Sequence, residues 1–289
     1  MAEHWVDVEG TSTRYLEAGT GEPLLLLHGE GGVSEGWYGV LERLADSYHV
    51  IAVDLPGYGY TEAISDASPP ALAAFAWKFA RTIGARRPAV MGQSLGGAVA
   101  VHMALQRPGH VSALILVGSS GMGRAVNPVL LVQAATPLGD LMAWLTPLVP
   151  LAPSLTVASV ALMGSCRPWR IPAAWWTSQT TAAGTPGALV TTLRSQRSAA
   201  GPLGQKNLVL RMLPELPMPT LVVWGFQDRM TPFWQAFAAR RRLRHGELKI
   251  VPCSGHLLPQ EAAGELADAA RPFLANALGG AGRAGGDDA

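Results

Sequence analysis

The sequence predicts an α/β protein, with a mostly parallel central sheet covered by helices on both faces and a helical segment inserted late in the chain. Three observations predict it. Short apolar runs such as Leu24-Leu25-Leu26-Leu27, Val50-Ile51-Ala52-Val53 and Leu221-Val222-Val223 have the near-continuous pattern of strands buried on both faces. They alternate with stretches of helical spacing, and repeated strand and helix alternation folds as a parallel sheet. After Val117 the pattern is lost for about ninety residues, a length suited to an inserted subdomain rather than to a loop.

In chain order, residues 5–8 and 13–18 alternate around Glu9-Gly10-Thr11 and read as an opening hairpin. Residues 23–27 form the first buried strand and end in His28-Gly29-Glu30-Gly31-Gly32. Trp37 to Asp46 has helical spacing, and Val50 to Asp54 is a second buried strand closed by Leu55-Pro56-Gly57-Tyr58-Gly59. A helix from Pro69 to Ile83 leads to a strand at Ala89, and Ala113 to Val117 is the next. Beyond the insert, residues 220–225 resume the sheet. A helix over 233–242, a strand over 248–251 and a closing helix over 259–277 follow. These boundaries divide the chain into a core of residues 1–119 and 213–278 around an insert of residues 120–212. The Gly-rich end, 279–289, is expected to be a disordered tail.

Composition narrows the function. In 289 residues, 48% are hydrophobic, 15% are charged and the formal net charge is +1, so a large core can form and no broad basic field exists to hold nucleic acid. The run Arg240-Arg241-Arg242 with Arg244 reads as a solvated helix end. Cys166 and Cys253 are too few for a disulfide framework and too far apart for a metal knuckle, and the other histidines, including His102, have no metal-ligand spacing. The first residues carry acids and no apolar core, which predicts a cytoplasmic protein without a signal peptide. The apolar stretch from Val126 to Met163 is cut by five prolines and predicts no membrane span.

The chemistry centres on Gly92-Gln93-Ser94-Leu95-Gly96. A serine at the tip of a tight strand-to-helix turn takes a strained backbone, and the glycines two residues either side remove the Cβ atoms that would collide there. Serine needs a base, and the base needs a partner that fixes its tautomer. Asp228 follows the 220–225 strand by three residues, and His256 lies between the last strand and the last helix. The chain order Ser94, Asp228, His256 is the order expected for a nucleophile elbow on an open α/β sheet. Ligands bind such sheets beyond the carboxyl ends of the strands, where His28, Ser94, Ser119, Asp228 and His256 all fall.

These motifs, together with Asp54-Leu55-Pro56-Gly57-Tyr58-Gly59 and Gly255-His256, resemble those of the α/β-hydrolases, within the lid-bearing group of esterases, lactonases and carbon-carbon-bond hydrolases. The resemblance implies the α/β-hydrolase fold, with Ser94 as nucleophile, His256 as general base and then acid, and Asp228 as the orienting carboxylate. It also implies an oxyanion hole made by the backbone N–H groups of Leu95 and Glu30, residues 120–212 as a lid, and no cofactor. Asp54, beside a Pro-Gly turn, is expected to be structural, and Gly118 to Gly123 to be the hinge into the insert.

The expected reaction is hydrolysis of an ester, thioester or lactone of a small apolar or aromatic substrate through an acyl-enzyme. A serine at 94 argues against epoxide hydrolases and haloalkane dehalogenases, which use a carboxylate nucleophile. The runner-up is hydrolysis of a carbon-carbon bond in a vinylogous diketone, although Leu257 stands where those relatives carry Trp. Further alternatives on the same fold are a cofactor-free perhydrolase and a non-catalytic small-molecule receptor. Gly29, Gly31, Trp144, Trp176 and Leu257 are the expected pocket residues. The Glu30 carboxylate is expected to point to solvent, its amide alone acting; the competing reading has it repel anionic substrates or hold a water. Arg167, Arg170, Arg194 and Arg197 are expected on the surface rather than as a carboxylate clamp.

Overall fold

The computed structural model describes residues 1–185 and 187–279. The expected tail, apart from Gly279 at the end of the last helix, lies outside the described residues. The central sheet holds eight strands: β1 (Ala2–Val8), β2 (Thr11–Ala18), β3 (Pro23–Leu27), β4 (His49–Val53), β5 (Ala89–Gln93), β6 (Leu114–Val117), β7 (Thr220–Gly225) and β8 (Gly246–Val251). Their order is β1-β2-β4-β3-β5-β6-β7-β8. Only the β1–β2 and β2–β4 pairings are antiparallel; the rest of the sheet is parallel.

The apolar runs follow directly from this topology. In β3, Leu25 and Leu27 point to a core shared with α2 (Pro69–Thr82), α3 (Leu95–Gln106) and α9 (Trp234–Arg242). Leu24 and Leu26 point to the opposite core, shared with α1 (Tyr38–Leu44) and α11 (Ala263–Gly279). Successive strand side chains face opposite ways, so a strand covered on both sides must be apolar at every position. Leu24 through Leu27 are fully buried.

The register also aligns the carboxyl ends of the strands. Leu27 lies beside Gly92, Gln93 beside Val117, and Val117 beside Val223. The loops carrying His28, Ser94, Gly118 and Asp228 therefore leave the same edge. Between β6 and β7 the described residues form five α-helices, α4 (Pro128–Ala135), α5 (Pro137–Leu145), α6 (Ala152–Gly164), α7 (Ala173–Gly184) and α8 (Ala188–Ala199), then a two-residue ladder pairing Ala200–Gly201 with Gly204–Gln205. The expected closing helix is two pieces, α10 (Leu258–Glu261) and α11, interrupted at Ala262. No single described helix is long and apolar enough to cross a membrane; the α4–α5 pair passes that test only together and is bent by 87°.

Candidate active site

β5 ends at Gln93, α3 begins at Leu95, and the single residue between them, Ser94, has φ +50°. A non-glycine residue in that region costs on the order of 1–3 kcal/mol and persists only where its surroundings fix it. The two glycines allow the turn to be fixed so tightly. A Cβ on Gly92 would sit 2.2 Å from the Gly96 carbonyl oxygen, and a Cβ on Gly96 would sit 2.1 Å from that of Leu27. Ser94 N–H and C=O are both held, donating to Val117 O at 3.0 Å and accepting from Ser120 N at 3.0 Å. The Ser94 hydroxyl shares a hydrogen bond with Ser120 Oγ at 3.2 Å.

His256 and Asp228 meet across the same edge. His256 Nδ1 lies 2.8 Å from Asp228 Oδ2, with both side chains buried. Asp228 Oδ1 accepts from Met230 N and Thr231 N, each at 2.8 Å, and Thr231 Oγ1 donates to Oδ2 at 3.1 Å. The turn after β7 thus supplies the donors that hold the carboxylate toward the imidazole. Gly118, at φ +49°, passes close to the pair; a Cβ there would lie 3.3 Å from His256 Nδ1.

The backbone of His256 is anchored from two sides. Gln93 Nε2, one residue before the strained serine, donates to His256 O at 2.8 Å. The neighbouring Gly255 N donates to the buried Glu261 carboxylate at 2.5 Å. That same carboxylate accepts from Ser165 Oγ, Cys166 N and Arg167 N at 2.8, 2.9 and 2.7 Å, so one side chain ties the histidine loop to the chain following α6. No local pattern marks this role, since Glu261 reads as a helix residue until both loops are in place.

The His28–Gly32 loop approaches the serine closely, with a Cβ on Gly29 placed 3.2 Å from Ser94 Cβ. Leu55 N donates to His28 Nε2 at 2.9 Å, which leaves Nδ1 to donate to Gly29 O at 2.7 Å. Burial pushes the His28 imidazole below its usual pKa, against the nearby Asp54 charge, and favours the neutral ring that this tautomer requires. Asp54 has the structural part expected of it. It accepts from Ser34 N at 2.7 Å and from Ser34 Oγ, Tyr60 N and the buried Arg14 guanidinium, and so fixes the 54–60 turn against the chain that follows the His28 loop.

Beside Ser94 opens a cavity of about 220 Å³. Gly29, Glu30, Gly31, Ser94, His256 and Leu257 line its floor, and α5, α6, α7 and α8 supply its roof through Met142, Val157, Val160, Trp175, Thr192 and Leu193. Two expectations fail here. Trp144 is 63% exposed on the outer side of α5, and Trp176 is absent from the lining. Trp175 takes the inward position, while Trp176 stacks edge-on against it at 5.3 Å. Adjacent helical residues face directions about 100° apart, and sequence alone does not say which of the two turns inward. None of Arg167, Arg170, Arg194 and Arg197 lines the cavity.

Glu30 is the third correction. The residue lines the cavity, and its carboxyl is buried against Ser195 and Gln196 of α8 instead of pointing to bulk solvent, because α8 closes over the loop; Thr192 reaches Gly31, and Gln179 of α7 donates to Gly31 O. Burial pushes the Glu30 carboxyl up to about 7, opposed by the side chains of Ser195 and Gln196 and by His256. The Tyr58 hydroxyl is pushed up as well, by burial first and by Glu30 second.

An eight-stranded sheet of this order, with a strained serine where its fifth strand turns into a helix, defines an α/β hydrolase as a class. The chain belongs to the Alpha/beta hydrolase family, which it matches over residues 24–269, and it is an enzyme of that hydrolase fold. It is 30% identical over 285 residues to 2-hydroxy-6-oxo-6-(2'-aminophenyl)hexa-2,4-dienoic acid hydrolase of Metapseudomonas resinovorans, covering 94% of this chain and 90% of that one. It is 38% identical over 128 residues to the dihydrolipoyllysine-residue acetyltransferase component of the acetoin cleaving system of Cupriavidus necator, a match that spans 44% of this chain but only 34% of that protein. Among solved structures, a membrane phospholipase A described as a bacterial virulence factor superposes with a TM-score of 0.78 at 27% identity, covering 96% of this chain and 86% of that one.

Proposed function

We propose that the protein is a serine hydrolase that cleaves an uncharged ester, thioester or lactone with an apolar acyl or alcohol group, through an acyl-enzyme on Ser94. The observation that carries this reading is the cavity itself. Its described lining surrounds Ser94 and His256 with uncharged side chains, apolar ones such as Met142, Val157, Trp175 and Leu193 together with amides and hydroxyls such as Gln133, Gln179 and Thr192, with no Lys or Arg and with Glu30 as its one carboxyl group. An anionic substrate would meet an acidic group and no cation, and an isolated carboxylate is costly to bury. An uncharged apolar chain loses little on entering.

In this mechanism the Ser94 hydroxyl leaves Ser120 and turns to His256, which takes its proton as the oxygen attacks the carbonyl. Asp228, held by Met230 N, Thr231 N and Thr231 Oγ1, stabilises the imidazolium. The oxyanion is received by Leu95 N–H at the start of α3 and by Glu30 N–H in the glycine loop; one such donor is worth about 3 kcal/mol in the transition state. His256 passes the proton to the leaving group, and water repeats the cycle. Residues 120–212 act as the lid that shapes the acyl site.

The second reading, hydrolysis of a carbon-carbon bond, is favoured by the likeness to the dienoic acid hydrolase over nearly the whole chain. A dienoic acid carries a carboxylate, and among the described residues this cavity presents no Lys or Arg to receive one. A p-nitrophenyl ester series tests the choice. The expected result is a burst, an acyl adduct of intact protein that is lost in Ser94→Ala, and a fall in turnover of about 10⁴-fold or more in that variant. Absence of any adduct with the protein folded, or preference for a dienoic acid over every ester, would overturn the ester reading.

A further inference from the structure

We propose that the outer face of the helical insert docks the protein on an anionic lipid surface. Twenty large apolar residues are exposed among the described residues, and thirteen of them fall between positions 129 and 169. Trp144, Leu148, Leu151, Leu155, Leu162 and Trp169 are each more than 60% exposed. Scattered exposed leucines need no explanation, but a concentration of this kind marks an interaction surface.

The helices themselves point the same way. α6 contains no charged residue. Its Val157, Val160 and Met163 line the cavity, while Leu155 and Leu162 face outward. A helix apolar on all sides belongs in a core or in lipid, and only one side of this helix meets the core. α5 repeats the arrangement. Ala143 and Met142 line the cavity, Leu138, Leu141, Trp144 and Leu145 are exposed, and its one charge, Asp140, is neutralised by Arg197 at 2.6 Å.

Charge selects the occupant. Residues 120–212 hold six arginines and one lysine against the single acid Asp140, a formal charge of +6 in a chain whose total is +1; Arg167 and Arg170 share Glu265 of the core, which leaves the insert with a smaller positive excess. The remainder of the molecule is therefore net acidic. A second copy docked face to face through this surface would bring two inserts of net positive charge together, which like-charge repulsion opposes. An anionic bilayer offers an apolar interior for the leucines, an interfacial zone for tryptophan and phosphates for arginine. The two chemistries already meet in one outer cleft, where Trp144 and Leu148 lie beside Arg194 and the Arg197–Asp140 pair. Arg194 is exposed and forms no ion pair among the described residues.

Flotation with vesicles tests the proposal, and it reads binding alone, independently of what the cavity hydrolyses. The full chain is expected to float with vesicles of equimolar phosphatidylcholine and phosphatidylglycerol, weakly with phosphatidylcholine alone, and less as salt is raised. The triple substitution Trp144→Ser, Leu148→Ser, Leu155→Ser is expected to lower the bound fraction by roughly ten-fold or more. Arg194→Glu, a single exposed substitution that keeps the apolar face, is expected to lower it several-fold on the anionic vesicles only. Circular dichroism confirms that each variant is folded. Failure of the wild type to float on anionic vesicles overturns the proposal, as does equal flotation of wild type and Arg194→Glu. A concentration-dependent dimer that the triple substitution dissolves, with no vesicle binding, would assign the face to a second copy instead.

Discussion

Ser94 Oγ is hydrogen-bonded to Ser120 Oγ at 3.2 Å, so the nucleophile of the proposed mechanism rests on a neighbouring hydroxyl at the mouth of the insert. The contact competes with the bond to His256 that attack requires. A neutral hydrogen bond of this kind has a net value of about 1 kcal/mol. Ser120→Ala is therefore expected to raise the acylation rate up to about five-fold, measured by stopped-flow release of p-nitrophenol, with deacylation unchanged. A ten-fold fall in acylation would show instead that Ser120 assists in the reacting state.

Glu261 carries a heavier structural load. Four donors from two loops converge on its buried carboxylate, and truncation to Ala leaves them without a partner. Glu261→Ala is expected to destabilise the protein by about 3–5 kcal/mol and to lower turnover, because the His256 loop loses an anchor. Urea unfolding together with ester kinetics checks both. Wild-type stability in the variant would show that water replaces the carboxylate without cost.

The pH dependence of stability follows from Glu30. Its carboxyl is pushed up to about 7 from an ordinary 4.5, so the folded state holds the proton over a range in which the unfolded chain has released it. The stabilisation is complete below 4.5 and lost as pH rises through 7, at up to about 1.4 kcal/mol per unit and about 3 kcal/mol in all. Glu30→Gln has no such proton to lose. Unfolding midpoints of wild type and variant are expected to diverge between pH 4.5 and 7, with wild type declining; parallel curves would refute the assignment.

The same residue is expected to set charge preference. At pH 8 the Glu30 carboxylate, held against Ser195 and Gln196, borders a cavity whose described lining has no cation. An ester with a terminal carboxylate should therefore be hydrolysed at least about ten-fold less well than its methyl-ended counterpart, by like-charge repulsion in a partly desolvated site. Glu30→Gln should close most of that gap through KM. An unchanged ratio would show that the carboxylate does not sense substrate charge.

Much of this protein was legible in the chain alone. Strands buried on both faces must be apolar throughout, so Leu24–Leu27 and Leu221–Val223 announce the sheet. A serine in a collision-free turn must have small neighbours, so Gly92 and Gly96 announce the elbow. Asp228 and His256 each follow a strand end by a few residues, and the structure brings them to 2.8 Å. These features are local in sequence and their causes are local backbone and side-chain sterics. Which tryptophan of the insert turns inward, where the Glu30 carboxyl goes and that Glu261 joins two loops were decided only in three dimensions. Each depends on how α5, α6, α7 and α8 rotate and settle over the sheet edge. An insert made of helices apolar on several sides has no single face written in its sequence, so contacts between segments far apart in the chain had to choose it.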